Sequence, residues 1–166
     1  MTPFVLFNIQ FTLMLVAYAL AAYWYVEPRL AGLPRELALV PLLWVHVFRI
    51  IGGTILAPGS VDPGVPMEFQ TVVGFGDMLT GFLALLSLIA LRARFSGAIV
   101  LVWVFIVFGT LDTANAFIQS LRHGVFNYPL GFNWVIVTAY VPALLVSSVL
   151  IYLHLLRPDR SPVGRA

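Results

Sequence analysis

The sequence predicts an all-α, polytopic integral membrane protein, built as a bundle of about five transmembrane helices. Of its 166 residues, 61% are hydrophobic and only 10% are charged, and the mean hydropathy is +0.99. A soluble domain carries about 25% charged residues, because its surface must be solvated by water. Most of the exterior of this chain is therefore expected to contact lipid.

Five apolar stretches reach the ~20 residues that a helix needs to cross ~30 Å of hydrocarbon. They comprise Phe4–Tyr25, Leu37–Leu56, Phe69–Leu91, Gly97–Gln119 and Phe132–Leu156. The connections between them are rich in Pro, Gly and Arg, which end helices at little cost outside the hydrocarbon. We therefore expect one transmembrane domain over residues 1–156 and a short cytoplasmic tail over residues 157–166.

The arginines predict the orientation, because cytoplasmic loops carry an excess of basic residues. One side of the predicted topology has Arg122 alone, and the other side has seven arginines. These seven are Arg29, Arg35, Arg92, Arg94, Arg157, Arg160 and Arg165. The expected location is the inner or plasma membrane of a bacterium, with the amino end outside and the carboxyl end in the cytoplasm. The bacterial origin is inferred from a composition rich in Ala, Leu, Val and Gly, with arginine as the only strongly basic residue.

The composition excludes several kinds of chemistry. The chain contains no cysteine, which excludes disulfides, thiolate nucleophiles and iron–sulfur ligation. It contains no lysine either, which excludes a lysine Schiff base. Its arginines are dispersed among the loops, whereas nucleic-acid binding needs a clustered basic face. We expect no cofactor and no nucleic acid; the expected partners are the lipid bilayer, a small-molecule or lipid ligand and, for transport, further copies in a homo-oligomer.

Apart from the tyrosines and His154 at the inner end of the fifth span, four ionisable residues fall inside the predicted spans, where each costs several kcal/mol unless it is paired or faces a cavity. They are Arg49 and His46 in the second span, Asp77 in the third and Asp112 in the fourth. At ~1.5 Å of rise per residue, the arginine and both aspartates come to a similar depth in the outer half. One arginine and two aspartates leave a net negative charge. A protonated aspartate, a charged His46 or a bound cation must balance it.

Uncharged polar residues fall at the same level or further out, whereas the inner half is almost purely aliphatic. Small residues near Arg49, Asp77 and Asp112 would let the helices approach closely; they include Gly53, Gly74, Gly81, Gly109 and Ala116. Pro142 is expected to kink the fifth span. The predicted site comprises Arg49, Asp77, Asp112, His46, Asn115, Tyr140 and Gln119. It is expected to be a pocket that opens outward.

The leading functional hypothesis is a protein that binds or translocates a small ligand or a proton. Arg49 would anchor an anionic group or hold one aspartate ionised, while Asp77 and Asp112 would carry the proton and His46 would shuttle it. One alternative is a membrane-embedded enzyme that acts on a lipid or isoprenoid by Asp/His general acid–base chemistry. Another is a structural subunit of a membrane complex, in which the Arg–Asp pair only joins helices. The sequence assigns no catalytic residue.

Two short motifs resemble those of the intramembrane aspartyl proteases, the presenilin and signal-peptide-peptidase family. Gly74-Phe75-Gly76-Asp77 is similar to their GxGD motif, and Pro142-Ala143-Leu144 to their PAL motif. The resemblance implies that Asp112 would be a second catalytic aspartate. In that family the other aspartate lies on a span before GxGD, whereas Asp112 follows it, and the chain has too few helices. Proteolysis is therefore not expected.

The histidines do not form a haem or metal site in the predicted topology. His46 lies near mid-membrane, whereas His154 lies close to the inner surface and His123 falls in an outer loop. A bis-histidine haem needs two histidines at one depth. Arg49 beside His46 would repel a metal cation. We therefore predict no metal.

Overall fold

The computed structural model describes residues 1–157, which form five long helices. The helices are α1 Pro3–Leu30, α2 Arg35–Leu56, α3 Met67–Arg92, α4 Ala98–Arg122 and α5 Asn133–Leu156. Each is long and apolar enough to cross a membrane, and residues 1–157 contain no strand. The predicted all-α class and the number of helices are confirmed. The predicted tail, apart from its first residue, lies outside the described residues.

The helices run up and down between two ends of the bundle. The N-terminal end holds residues 1–2, 57–66 and 123–132, and the C-terminal end holds residues 31–34, 93–97 and 157. α2, α3 and α4 pack closely as one layer, with α5 against α2 and α1 outside α5. The contact between α4 and α5 is sparse. This loose contact leaves space inside the bundle.

Two helices widen into a π-helical turn just before a proline. In α1 the π turn spans Ala22–Val26 and precedes Pro28. In α5 it spans Ile136–Tyr140 and precedes Pro142. Proline has no N–H to donate and its ring clashes with the preceding turn, and a widened turn is one way in which a helix absorbs that conflict. The kink expected at Pro142 is therefore realised as a π turn on its N-terminal side.

α2 changes its winding halfway. It is α-helical over Arg35–Val47 and a 3₁₀-helix over Phe48–Leu56. In a 3₁₀-helix, residues three apart lie in one row. Arg49, Gly52 and Ile55 form such a row, and they are the buried residues of this segment. The row faces α3 and determines the geometry of the site.

Candidate functional site

Arg49 joins three helices through its guanidinium group. Its Nε donates to Asp77 Oδ1 at 2.5 Å and its Nη2 donates to Asp112 Oδ2 at 2.6 Å. Its Nη1 donates to the carbonyl oxygen of Gly109 at 3.3 Å. The arginine side chain is only 4% exposed. Arg49, Asp77 and Asp112 are called the Arg–Asp cluster below; the structure brings these three predicted site residues together.

Two glycines provide the space that the carboxylates occupy. A Cβ on Gly52 would lie 1.9 Å from Asp77 Oδ2, and a Cβ on Gly76 would lie 1.9 Å from Asp112 Oδ1. Real Cβ atoms do not approach other atoms this closely, so each carboxylate fills the place of a missing side chain. Glycine is thus required beside both acids.

The 3₁₀ winding explains why Gly52 was missed. With α-helical spacing Gly53, four residues after Arg49, is expected on the arginine face. With three residues per turn, Gly52 takes that position instead. A Cβ on Gly53 would meet Met78, and one on Gly74 would meet Leu56. Of the small residues named from the sequence, Gly53, Gly74 and Gly81 therefore close the α2–α3 contact and not the space at the carboxylates, whereas Gly109 lies on α4 against Thr80 and Arg49.

His46 is buried away from the two acids. It is 1% exposed, and neither of its ring nitrogens has a hydrogen-bond partner. Its ring packs edge-on against Phe105, with a centroid distance of 5.0 Å and an interplanar angle of 72°. No described hydrogen bond joins His46 to the Arg–Asp cluster, so its predicted part in proton transfer stays a prediction.

The remaining predicted residues form no described hydrogen bond with the two aspartates. The Tyr140 hydroxyl donates to the carbonyl oxygen of Val45 and so ties α5 to α2. Asn115 is exposed and Gln119 half-buried on α4. Within residues 1–157 no hydrogen bond connects either amide to the acids. The geometry gives Tyr140 a role in helix packing and leaves the two amides outside the site.

A cavity of about 570 Å³ separates α4 from α5 and reaches the cluster. Its wall is apolar except for a few groups, among which are Arg49, Asp77 and Asn133. Gly52 also lines it, next to the Asp77 carboxylate that occupies its side-chain space. Asp112 is not part of the wall. Asp77 is therefore the acid at the cavity, and Asp112 lies on the far side of the arginine.

The long axis of the cavity follows α5. The residues of α5 that line it are Asn133, Ile136, Val137, Val141, Leu144, Leu145, Ser148, Val149 and Tyr152. The first and last of these are nineteen residues apart, or about 28 Å along a helix with ~1.5 Å rise per residue. Aromatic side chains supply much of the wall elsewhere: Phe7, Phe11, Phe69, Phe117 and Phe126. An elongated, aromatic and apolar space with one charged patch is suited to an amphipathic molecule.

Polar contacts that the sequence did not predict hold the helix ends around this cavity. At the N-terminal end Thr54 donates to Asn133 at 3.2 Å, and Asn133 donates to the carbonyl oxygen of Ser60 at 3.1 Å. The indole of Trp134 donates to Gln10 at 2.7 Å and fastens α1 to α5. Uncharged polar residues at the ends of spans were the only signal of these contacts.

A second group of charges lies at the C-terminal end. His154 Nε2 lies 3.1 Å from Glu27 Oε2, and Arg157 donates to the other oxygen of Glu27. Glu27, His154 and Arg157 are called the terminal cluster below; it joins α1 to α5. Within residues 1–157, no group of three His, Asp or Glu side chains is placed to hold a metal ion.

One known family matches this chain. Its description is "Domain of unknown function (DUF8737)", and the match covers residues 6–157. No curated protein and no solved structure matches the chain. The matched range contains all but the first few residues of α1 together with α2 to α5, and so includes the Arg–Asp cluster and the cavity. The function therefore has to be inferred from the geometry of these two features.

Proposed function

The chain belongs to the family of the domain of unknown function DUF8737, and we propose that it is a membrane protein that binds a small amphipathic ligand in the cavity between α4 and α5. The polar part of the ligand contacts Asp77 and its apolar part lies along α5. One observation carries the proposal: a charged cluster forms part of the wall of an otherwise apolar cavity of about 570 Å³.

Insertion in a membrane is part of this proposal. The five helices suit it by length and hydropathy, and large apolar side chains are exposed along all of them, such as Leu13, Phe48, Phe82, Val100 and Leu153. The arginine distribution orients the chain with the amino end outside and the carboxyl end in the cytoplasm. The Arg–Asp cluster then lies at the level of the hydrocarbon, where water does not compete for its charges.

A purely structural role would need fewer charged residues than this site contains. One arginine and one aspartate suffice to join two helices, and a buried pair of this kind is common without any ligand. Here a second aspartate shares the same arginine, and the cavity reaches the first one beside Gly52. Ligand pockets of ~300–1,000 Å³ with few polar groups are typical of small-molecule sites. The excess acid and the cavity together favour binding over assembly alone.

The test compares two phenylalanine substitutions one turn apart on α4. Ala114 lines the cavity, whereas Leu111 does not and is 66% exposed. The purified full-length chain is titrated in detergent micelles with N-phenyl-1-naphthylamine, a neutral apolar probe that fluoresces in apolar surroundings, and the signal of protein-free micelles is subtracted. We expect Ala114→Phe to weaken probe binding by about tenfold, which corresponds to ~1.4 kcal/mol, and Leu111→Phe to leave it unchanged. Equal binding by both variants and the wild type would contradict the proposal.

A further inference from the structure

The charges around Asp77 point to the class of ligand. We infer, on the basis of the proposed function, that the cavity binds an apolar monovalent cation, which takes the place of a proton on the Arg–Asp cluster. The inference deepens the proposal above because it selects cations over anionic and neutral amphipaths.

The ionisable groups packed around Asp77 carry more negative than positive charge when both aspartates are ionised. α2 presents Arg49, with His46 one turn away; α4 presents Asp112, and α5 presents Tyr140. α1 contributes no ionisable side chain to the cavity wall. Arg49 is the single permanent positive charge among these groups, so two ionised aspartates leave one negative charge in excess. In a medium of low dielectric constant this excess attracts one positive charge strongly.

The hydrogen bonds within the Arg–Asp cluster determine which polar atoms remain available to a ligand. Arg49 directs one N–H from each of its nitrogens to Asp77, Asp112 and the carbonyl oxygen of Gly109. Asp77 Oδ2 does not bond to Arg49 and lies against Gly52 in the wall of the cavity. The cavity thus offers an acceptor with negative charge beside Arg49, whose own charge is shared between the two aspartates. An anionic head group at this position would add a second uncompensated negative charge.

The composition of the cavity wall also bears on the class of ligand. Five phenylalanines and Tyr152 line the cavity, and the face of an aromatic ring attracts a cation within about 6 Å of its centre. Aromatic rings therefore stabilise a positive charge that has left water, while the long apolar wall along α5 accepts its hydrocarbon part. Both features favour a large organic cation over a hydrated metal ion.

Exchange at the site is balanced in charge and atoms. In the resting chain one proton is bound to a carboxylate of the cluster. When the cation enters, the O–H bond breaks, the proton passes to the aqueous phase and the carboxylate pairs with the cation. One proton is released for each cation bound, and the net charge of the site does not change.

The test uses two hydrophobic ions of nearly equal size and opposite charge, tetraphenylphosphonium and tetraphenylborate. Each is added to the wild-type chain in micelles that contain N-phenyl-1-naphthylamine, and displacement of the probe is measured across a pH series. We expect tetraphenylphosphonium to bind at least about tenfold more tightly than tetraphenylborate. Its affinity should rise by up to about tenfold per pH unit below the pH at which the free cluster loses its proton, and should level off above that pH. In the lower range a pH-indicator dye should report about one proton released per cation.

Two carboxylate variants on α3 localise the effect. Asp77→Asn removes the charge at the cavity, and we expect it to abolish both the preference for the cation and the proton release. Glu68→Gln removes an exposed carboxylate from the same helix and should bind the cation as the wild type does. If Asp77→Asn does not fold, proton release by the wild-type chain still decides the matter.

The two proposals can fail separately. If probe binding depends on Ala114 but the two ions compete equally and no proton is released, the cation inference is wrong and the proposed function stands. If probe binding does not depend on Ala114, the cavity is not the binding site and both proposals fall.

Discussion

The molecule contains two ionic clusters with opposite charge composition. In the Arg–Asp cluster one base, Arg49, lies between two acids; in the terminal cluster one acid, Glu27, lies between His154 and Arg157. The arginine of the first cluster is 4% exposed, whereas Arg157 is 44% exposed. Solvent at the exposed Arg157 screens part of the charge of the terminal cluster. The Arg–Asp cluster contains one acid more than it has arginines, and the cation proposed above would balance this charge.

The backbone is adapted around the Arg–Asp cluster but not around the terminal cluster. Gly52 and Gly76 leave room for the Asp77 and Asp112 carboxylates, and part of α2 winds as a 3₁₀-helix beside them. The terminal cluster has no such adaptation, since its side chains reach one another from the ends of α1 and α5. A local departure from regular helix winding that positions buried acids is typical of a functional site. The terminal cluster instead only joins α1 to α5.

The largest difference in the free energy of unfolding is expected when each cluster loses its arginine. Arg49→Met leaves two buried aspartates without a base, and removing one partner of a buried pair costs about 3–5 kcal/mol. Arg157→Met, the same change in the terminal cluster, should cost less than about 1 kcal/mol because solvent screens the remaining charge. Thermal unfolding in micelles, followed by tryptophan fluorescence, measures both.

A triple variant shows whether the loss comes from the uncompensated acids. Arg49→Met combined with Asp77→Asn and Asp112→Asn removes all three charges, so most of the stability should return. Equal unfolding temperatures for Arg49→Met and Arg157→Met would mean that the two clusters do not differ in environment.

The fold was predictable because it depends on average hydropathy. Spans of ~20 apolar residues can be found by a sliding window, and the structure has five helices at the predicted places. The meeting of Arg49, Asp77 and Asp112 was also predictable, because buried charges must be paired and residue counting gave the three a common depth. Both inferences use quantities that do not depend on the rotation of a helix about its axis.

The rest of the site depends on helix rotation and winding, which the sequence does not encode locally. Because part of α2 winds as a 3₁₀-helix, Gly52 and not Gly53 lies on the same face as Arg49. His46 was assigned to the site by α-helical spacing, yet it packs against Phe105. The polar residues predict a pocket, but the sequence does not indicate its apolar wall, because aliphatic residues that line the cavity and those that face outward are chemically alike. Only the packing of α5 against its neighbours separates the two sets.

A smaller effect is expected from filling the space next to an acid. Gly76→Ala places a methyl group on the position of Asp112 Oδ1, only 1.9 Å away, so the carboxylate must shift from Arg49. Overpacking of this kind costs about 1–3 kcal/mol. Gly32→Ala is the matched control, because nothing lies within 4 Å of a Cβ at that position, and its unfolding temperature should equal that of the wild type. A stable Gly76→Ala variant would show that the carboxylate has other space to move into.

The smallest effect is expected from the acid of the terminal cluster. Glu27→Gln removes the charge that His154 and Arg157 share but keeps an amide that can accept a hydrogen bond from either. Partly exposed ion pairs contribute about 0–1 kcal/mol, so thermal unfolding should change by no more than this. Ligand binding should not change at all, since no member of the terminal cluster lines the cavity. A loss of probe affinity in Glu27→Gln would mean that the contact between α1 and α5 controls the width of the cavity. The two clusters would then be coupled to each other.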